Sequence, residues 1–133
     1  MATKSVLDVS KKRAITRLTR NSKNFKSIIK AIEDKKGENI VSLDLRKIPE
    51  AVADFFIICQ ASSTIQVKAI SNFIEDQIKL QCKEVPYKQE GKQAMQWVLI
   101  DYVTIVVHIM HPQVRTFYKL EDMWSDAEIM AHE

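Results

Sequence analysis

A continuous apolar run, Phe55-Phe56-Ile57-Ile58-Cys59, constrains the fold more than any other feature of the sequence. Its length suits a strand, and its lack of alternation predicts a central strand that is covered on both faces. Ser62 and Ser63 follow the run and predict the N-cap of a long helix that ends near Cys82. The apolar positions of this helix recur on one face: Val67, Ile70, Ile74 and Ile78.

The remaining periodicities predict further helices and strands around this run. An amphipathic helix is predicted over residues 24–36, because its apolar residues recur at helical spacing. Strands are predicted at residues 41–45, 85–87, 95–100 and 103–110, with a loop at 88–94 and a short helix that begins at Pro112. Packing helices against one shared sheet buries all of these faces. We therefore expect an α/β fold with a mixed sheet of about five strands and packed helices.

Charge is distributed unevenly along the chain. Residues 1–36 contain eleven Lys or Arg and three Asp or Glu, whereas residues 37–133 contain nine and fourteen, so the balances are +8 and −5. A basic arm beside an acidic domain favours a polyanion such as RNA. The alternatives are a solubilising tail and a targeting segment, although Asp8 and the missing amphipathic stripe argue against the latter. The candidate RNA-binding residues are Lys11, Lys12, Arg13, Arg17 and Arg20.

Composition bounds the class of protein. We expect a basic arm at residues 1–21, one α/β domain at 22–126 and a polar tail at 127–133. No segment approaches the roughly 20 apolar residues of a membrane helix. Cys59 and Cys82 lack neighbouring Cys or His ligands, which predicts reduced thiols in a cytoplasmic protein. We predict neither a metal nor another cofactor.

The residues that could support catalysis have simpler explanations. His108 and His111 lie three positions apart, so on one strand they would point to opposite faces and could not share a metal. Helix capping accounts for Ser62 and Ser63, because no Gly-rich loop or nucleophile motif surrounds them. The order of elements is nucleotidyltransferase-like, but Asp101 has no paired acid to hold metal ions, so the layout lacks the catalytic acids. We predict that the protein is not an enzyme.

Several blocks of the sequence, taken in order over about residues 25–125, form a specific pattern. Ile32-Glu33-Asp34-Lys35-Lys36 precedes Ile40-Val41-Ser42-Leu43-Asp44-Leu45. Ala53-Asp54-Phe55-Phe56-Ile57-Ile58-Cys59 then leads to Ser62-Ser63. The strongest block is Trp97-Val98-Leu99-Ile100-Asp101-Tyr102 with Val106-Val107-His108-Ile109, and Phe117-Tyr118-Lys119-Leu120-Glu121-Asp122-Met123-Trp124 closes the match. In this order the blocks resemble the ribosomal silencing factor (Iojap) family. Three departures from the family pattern cover four positions: Val103-Thr104 replaces Gly-Asp, Ala61 replaces Gly, and Ile65 replaces an Arg.

The resemblance implies a function. Members of this family bind the large ribosomal subunit through its ribosomal protein fourteen, block joining of the small subunit and repress translation when nutrients are scarce. Organellar relatives act in large-subunit assembly, so an RNA-binding assembly factor is the alternative. A nucleotidyltransferase-fold enzyme and a general RNA-binding domain are further rivals. The basic arm lies outside the match and could contact ribosomal RNA; the oligomeric state stays open, with a homodimer of the free protein as one alternative.

An aromatic and acidic cluster is the predicted partner-binding site. Trp97 and Tyr102 flank Asp101 in the sequence, and aromatics beside an acid are typical of protein-interface anchors. The alternative is that Trp97 belongs to the core, since a strand in a small sheet must bury one face; Trp124 and Tyr118 are open to the same interpretation. The predicted partner-binding residues are Trp97, Leu99, Asp101, Tyr102 and Tyr118.

Overall fold

A computed structural model of the chain describes residues 18–132. Its helices are α1 (Lys23–Asp34), α2 (Thr64–Cys82), α3 (Pro112–Tyr118) and α4 (Leu120–Met123). Its strands are β1 (Glu38–Asp44), β2 (Phe55–Gln60), β3 (Lys88–Glu90), β4 (Trp97–Asp101), β5 (Ile105–Met110) and β6 (Glu128–His132). They form one sheet in the order β3-β4-β5-β2-β1-β6. Strands β2 and β5 are parallel and every other neighbouring pair is antiparallel, which confirms the predicted mixed α/β sheet.

The centre of the sheet is buried on both faces, as the continuous apolar run predicts. Five of the six residues of β2 and all of β5 are buried. Helices α1 and α2 cover one face, which we call the helix face, and α2 begins where Ser63 accepts a hydrogen bond from the Gln66 amide at 3.1 Å. The capping interpretation of this serine is therefore confirmed. The core under the helices includes Phe25, Ile28, Ile32, Phe55, Ile57, Ile70, Ile74 and Ile78.

The opposite face of the sheet has a smaller apolar layer, and we call it the open face. Leu43, Phe56, Ile58 and Val106 are buried there. The cover comes from the loop after β1 and from the segment that contains α3 and α4, where Leu120 and Trp124 pack against the sheet. No helix as long as α1 or α2 lies on this face in residues 18–132, so part of it remains accessible.

The structure corrects two predictions about strands. Residues 127–133 were expected to be a polar tail, yet β6 pairs with β1 from Ile40–His132 to Asp44–Glu128, so the sheet has six strands. The third strand is Lys88–Glu90 and lies just after the predicted segment 85–87, within the stretch expected to be a loop. The turn that follows requires Gly91, which has a φ of +85° and whose Cβ position would fall on the Trp97 carbonyl.

Candidate protein-binding surface

The alternation of β4 divides the predicted partner-binding residues between the two faces of the sheet. Val98 and Ile100 are buried under the helices, so Trp97, Leu99 and Asp101 point to the open face and are only partly buried. Tyr102 follows the strand and lies in the core of the helix face with 5% of its surface exposed. Desolvation by burial raises the pKa of its hydroxyl well above the ordinary value. Tyr102 therefore does not share a surface with Trp97, contrary to the prediction.

Trp97 connects the buried layer to the surface. Its Nε1 donates a hydrogen bond to Nδ1 of His108 at 3.0 Å, and the indole also belongs to the apolar layer of the open face. On the other side its ring centroid lies 4.9 Å from that of Tyr118. Trp97 is thus partly a core residue, because one edge is packed, while its ring also supports an exposed aromatic; its role at an interface stays a prediction.

Two further aromatic rings, Tyr118 and Phe117, continue outwards from Trp97. Tyr118 lies 5.1 Å, centroid to centroid, from Phe117, and Phe117 is 78% exposed. Leu99 lies on the same face two residues along β4 from Trp97, and with these rings it defines what we call the aromatic surface: Trp97, Leu99, Phe117 and Tyr118. Phe117 was not among the predicted site residues, although Val114, Phe117 and Tyr118 lie at helical spacing in the sequence of α3. That periodicity pointed to a buried face, whereas only Val114 packs towards the sheet.

His108 supports the aromatic surface from below. The side chain is 3% exposed and its ring makes an edge contact with Phe56 at 4.7 Å between centroids. Because Trp97 donates to Nδ1, the proton of the neutral ring lies on Nε2. Desolvation by burial lowers the pKa of His108 from 6.5 to about 4. The imidazole is therefore neutral at physiological pH and serves as an acceptor that orients the indole.

Arg115 fixes α3 against the ends of two strands. One guanidinium nitrogen donates to the Asn39 carbonyl at 2.7 Å and to Oε1 of Gln60 at 3.2 Å. The other nitrogen pairs with Oε2 of Glu121 at 3.1 Å, and the Arg115 side chain is only 10% exposed. A forked guanidinium can hold several acceptors in one fixed geometry. Arg115 thereby anchors the helix that carries Phe117 and Tyr118.

Asp101 combines a structural contact with an accessible charge. One carboxylate oxygen accepts a hydrogen bond from the Val103 amide at 2.7 Å, which ties the carboxylate to the β4–β5 turn. Asp101 is partly exposed at the end of β4, two residues along the strand from Leu99 and on the same face. An anionic group at the rim of an apolar region is suited to select a basic partner.

Arg20 is a structural residue rather than part of a free arm. Its Nε donates to Oγ of Ser42 at 2.9 Å, and a second nitrogen donates to the Glu128 carbonyl at 3.1 Å. Its guanidinium also lies over the Phe55 ring, 5.4 Å from the centroid. These contacts give Arg20 a structural role, and its predicted contact with RNA stays a prediction. The other four candidates, Lys11, Lys12, Arg13 and Arg17, lie outside the described residues.

Neither a metal cluster nor a membrane-spanning helix is found in residues 18–132. No group of three or more His, Cys, Asp or Glu side chains in this range could hold a metal ion. Within the same range no helix is both long enough and apolar enough to cross a membrane.

Comparison with known proteins decides the family. A family model described as "Ribosomal silencing factor during starvation" matches residues 19–133. This chain belongs to the ribosomal silencing factor family. The ribosomal silencing factor of Bacillus subtilis (strain 168) is 42% identical over 110 residues, which cover 80% of this chain and 92% of that protein. The predicted resemblance is therefore confirmed.

Relatives of the silencing factors extend the comparison to an organelle and to a solved structure. A mouse protein called "Mitochondrial assembly of ribosomal large subunit protein 1" is 33% identical over 92 residues, which cover 66% of this chain and 40% of the mouse protein. A crystal structure of a Chromobacterium violaceum protein matches this fold with a TM-score of 0.72 at 34% identity, covering 77% of this chain and 83% of the other.

Proposed function

We propose that this protein binds the large ribosomal subunit in the cytoplasm, blocks joining of the small subunit and represses translation when nutrients are limited. The partner on the subunit is its ribosomal protein fourteen, and the protein acts without catalysis. Membership of the ribosomal silencing factor family supports the ribosomal role. The single structural observation that carries the binding proposal is the aromatic surface on the open face of the sheet.

The aromatic surface has the properties of a protein-binding hot spot. Trp and Tyr are enriched at the energetic centres of interfaces, where a large ring is buried at a small cost in side-chain entropy. Trp97 is held by a hydrogen bond and Tyr118 by ring contacts, so both are ordered before binding. Phe117 projects furthest and would lose the most exposed area in a complex. This arrangement supports Trp97, Leu99 and Tyr118 as partner-binding residues and adds Phe117.

Charge at the rim of the surface supports a basic partner. Asp101 lies at the end of β4, and residues 37–133 carry a balance of −5 from nine basic and fourteen acidic residues. Complementary charge speeds association more than it raises affinity. The partner surface should therefore combine an apolar pocket with Lys or Arg at its rim.

Sedimentation with purified subunits tests the proposal. The protein should co-sediment with large subunits, not with small ones, and should reduce formation of joined ribosomes. Phe117→Ala should weaken large-subunit binding by about thirtyfold, because truncating a hot-spot residue typically costs about 2 kcal/mol. Leu80→Ala is the matched control: Leu80 is 73% exposed, but it lies on α2, which packs on the helix face.

Two outcomes would contradict the proposal. Equal binding to both subunits, or binding without an effect on joining, would remove the silencing role. Equal losses in Phe117→Ala and Leu80→Ala would show that the aromatic surface is not the contact. A thermal denaturation curve for each variant should match that of the wild type, since both side chains are largely exposed.

A large-subunit assembly factor is the second candidate function. It is favoured by the mouse relative, whose name refers to assembly of the mitochondrial large subunit. Binding to immature large-subunit particles in preference to mature subunits would support this alternative over silencing.

A further inference from the structure

We propose that the helix face carries an RNA-binding surface formed by Lys23, Lys26 and Lys30 of α1 with Lys83 at the end of α2. This basic stripe lies on the side of the sheet opposite the aromatic surface. Its ligand would be the sugar–phosphate backbone of RNA. The proposal goes beyond the protein-binding role and depends on that role only for the assignment of the RNA to the ribosome.

The lysines of α1 share one exposed side of the helix. Positions 23, 26 and 30 fall within an arc of about 60°, and Lys23 and Lys30 are separated by about 10 Å along the axis. All three are exposed, whereas Phe25, Ile28 and Ile32 point into the core. The three ammonium groups can therefore face the same ligand without moving the helix.

Contacts between the two helices bring Lys83 to the same region. Oγ of Ser27 donates to Oε1 of Gln81 at 3.0 Å, so the start of α1 lies beside the end of α2. Lys23 and Lys83 line one shallow cleft of about 440 Å³ between these helix ends, which Glu84 also lines, so the cleft keeps one excess positive charge. Lys83 is exposed and directly follows α2 as its C-cap.

A contribution to folding stability is a poor explanation for the positive charge of the stripe. Lys23 and Lys26 lie in and next to the first turn of α1, where the helix dipole disfavours cations and where no acidic residue is present. Lys23, Lys26 and Lys83 form no ion pair with any residue of the 18–132 range. Lys30 has a single exposed partner, Asp34, at 3.5 Å. Three of the four charges therefore have no ion-pair partner within residues 18–132 and can bind an external anion.

The sequence before α1 extends the same charge. Residues 1–17 include Lys4, Lys11, Lys12, Arg13 and Arg17, and the chain reaches Lys23 only six residues after Arg17. Leu18, the first residue that the structure describes, packs against the core of the helix face, five residues before Lys23. One RNA strand could thus contact the stripe while the open face binds a protein.

Salt-dependent binding of the full chain to a fluorescently labelled RNA hairpin tests this proposal. The variant Lys23→Gln/Lys26→Gln/Lys83→Gln removes three charges and retains good helix formers. The control Lys47→Gln/Lys68→Gln/Lys88→Gln removes three exposed lysines elsewhere, so the net charge is the same. Each lost phosphate contact should lower the slope of log affinity against log salt by about 0.7–0.9, hence by about 2.1–2.7 for the three charges of the stripe variant.

Each outcome supports or overturns the proposal. A slope that falls in the stripe variant but not in the control supports it, and the single variants Lys23→Gln and Lys83→Gln should each show about a third of the effect. Equal slopes in both triple variants, lowered or unchanged, would overturn it. Anionic phospholipid vesicles serve as a second probe. A stripe variant that binds these vesicles less well than the wild type but binds RNA like the wild type would also overturn the proposal.

A further variant separates this proposal from the protein-binding role. Phe117→Ala should bind the hairpin like the wild type even where it fails to bind the large subunit. If Phe117→Ala retains subunit binding while the stripe variant loses hairpin binding, the aromatic surface is refuted and the RNA surface stands.

Discussion

At the residue scale, Val103 occupies a backbone conformation that β-branched residues rarely adopt. Its φ is +73° in the turn between β4 and β5, and its side chain is 48% exposed, so burial offsets little of the strain. This is the position at which the resemblance implied Gly. Val103→Gly should raise the free energy of unfolding by about 1 kcal/mol, because relief of about 1–3 kcal/mol of strain exceeds the 0.5–1 kcal/mol entropic cost of Gly.

Urea denaturation measures this change. Val85→Gly is the control, since Val85 is also exposed but has no positive φ, and this variant should lose stability. A destabilised Val103→Gly protein would mean that the valine side chain makes contacts that outweigh the backbone strain.

His108 gives the protein a defined dependence of stability on pH. Its pKa is about 4 in the folded protein and 6.5 in its ordinary state, so the unfolded chain binds the proton more tightly. The stabilising contribution is fully present above pH 6.5 and is lost as the pH falls towards 4, by about 3 kcal/mol in total. His108→Asn keeps an acceptor for Trp97 but cannot titrate, so its stability should fall less steeply over this window.

Chemical denaturation at a series of pH values tests the prediction. His111→Asn is the control, because Asn can replace His111 as the N-cap of α3. His108→Asn should also be less stable at neutral pH, since the smaller side chain leaves space in the core. If the free energy of unfolding of both variants falls as steeply as that of the wild type between pH 6.5 and 4, His108 does not control the stability in acid.

Individual residues differ in how far the sequence predicted them. The cap at Ser63 and the helix start at Pro112 follow from local chemistry, and both are confirmed. The burial of Tyr102 was not predicted, because the face of the sheet towards which its side chain points depends on the residue at which β4 ends. The dual position of Trp97 depends on contacts with His108 and Tyr118, which come from other elements and leave no local sequence signal.

At the element scale, long periodic segments were predictable and short edge strands were not. The runs that became α1, α2, β2 and β5 carry enough apolar residues to specify their type. Strand β6 has only five residues and is largely exposed, so no apolar pattern marks it. Its position depends on pairing with β1 and on the hydrogen bond from Arg20 to Glu128, over a separation of 108 residues.

Helix α3 depends on one arginine for its position. Arg115→Lys keeps the charge but loses the fork that joins Asn39, Gln60 and Glu121. The free energy of unfolding should fall by about 2 kcal/mol, because hydrogen bonds to charged groups contribute about 1.5–3 kcal/mol. Binding to the large subunit should weaken as well, since α3 carries Phe117 and Tyr118.

Denaturation curves and subunit binding should be measured on the same Arg115→Lys preparation. Lys119→Arg is the control, because it changes a basic residue in the same segment without an ion pair in the described part of the chain. Reduced stability with wild-type subunit binding would mean that α3 does not need this anchor to present its aromatics.

At the scale of the whole molecule, the two faces of the sheet have different chemistry. The open face presents aromatic side chains and Asp101, whereas the helix face presents the lysines of the basic stripe. The unequal charge of the two parts of the chain was evident from the sequence. The sequence did not show that the lysines of the basic stripe lie together on one face, because their position depends on how α1 packs against α2.

The boundary of the basic arm also changes the design of a deletion. The sequence suggested residues 1–21, but Leu18 packs against the helix-face core and Arg20 bonds to Ser42. Removing residues 2–17 should therefore leave the free energy of unfolding unchanged. Removing residues 2–21 should lower it by about 2 kcal/mol, since the contacts of a charged donor and a cation–π contact are lost.

The same two deletions test the arm in ribosome binding. Residues 2–17 contain five Lys or Arg and one Asp, so their loss should weaken large-subunit binding and flatten its dependence on salt, because fewer counterions are released. Affinity for large subunits across a salt series, with a denaturation curve for each protein, provides the measurement. Identical salt slopes for the full chain and the shorter deletion would make the arm a bystander. Unfolding of the shorter deletion would instead assign residues 2–17 a structural role, and the aromatic surface alone would then have to account for binding.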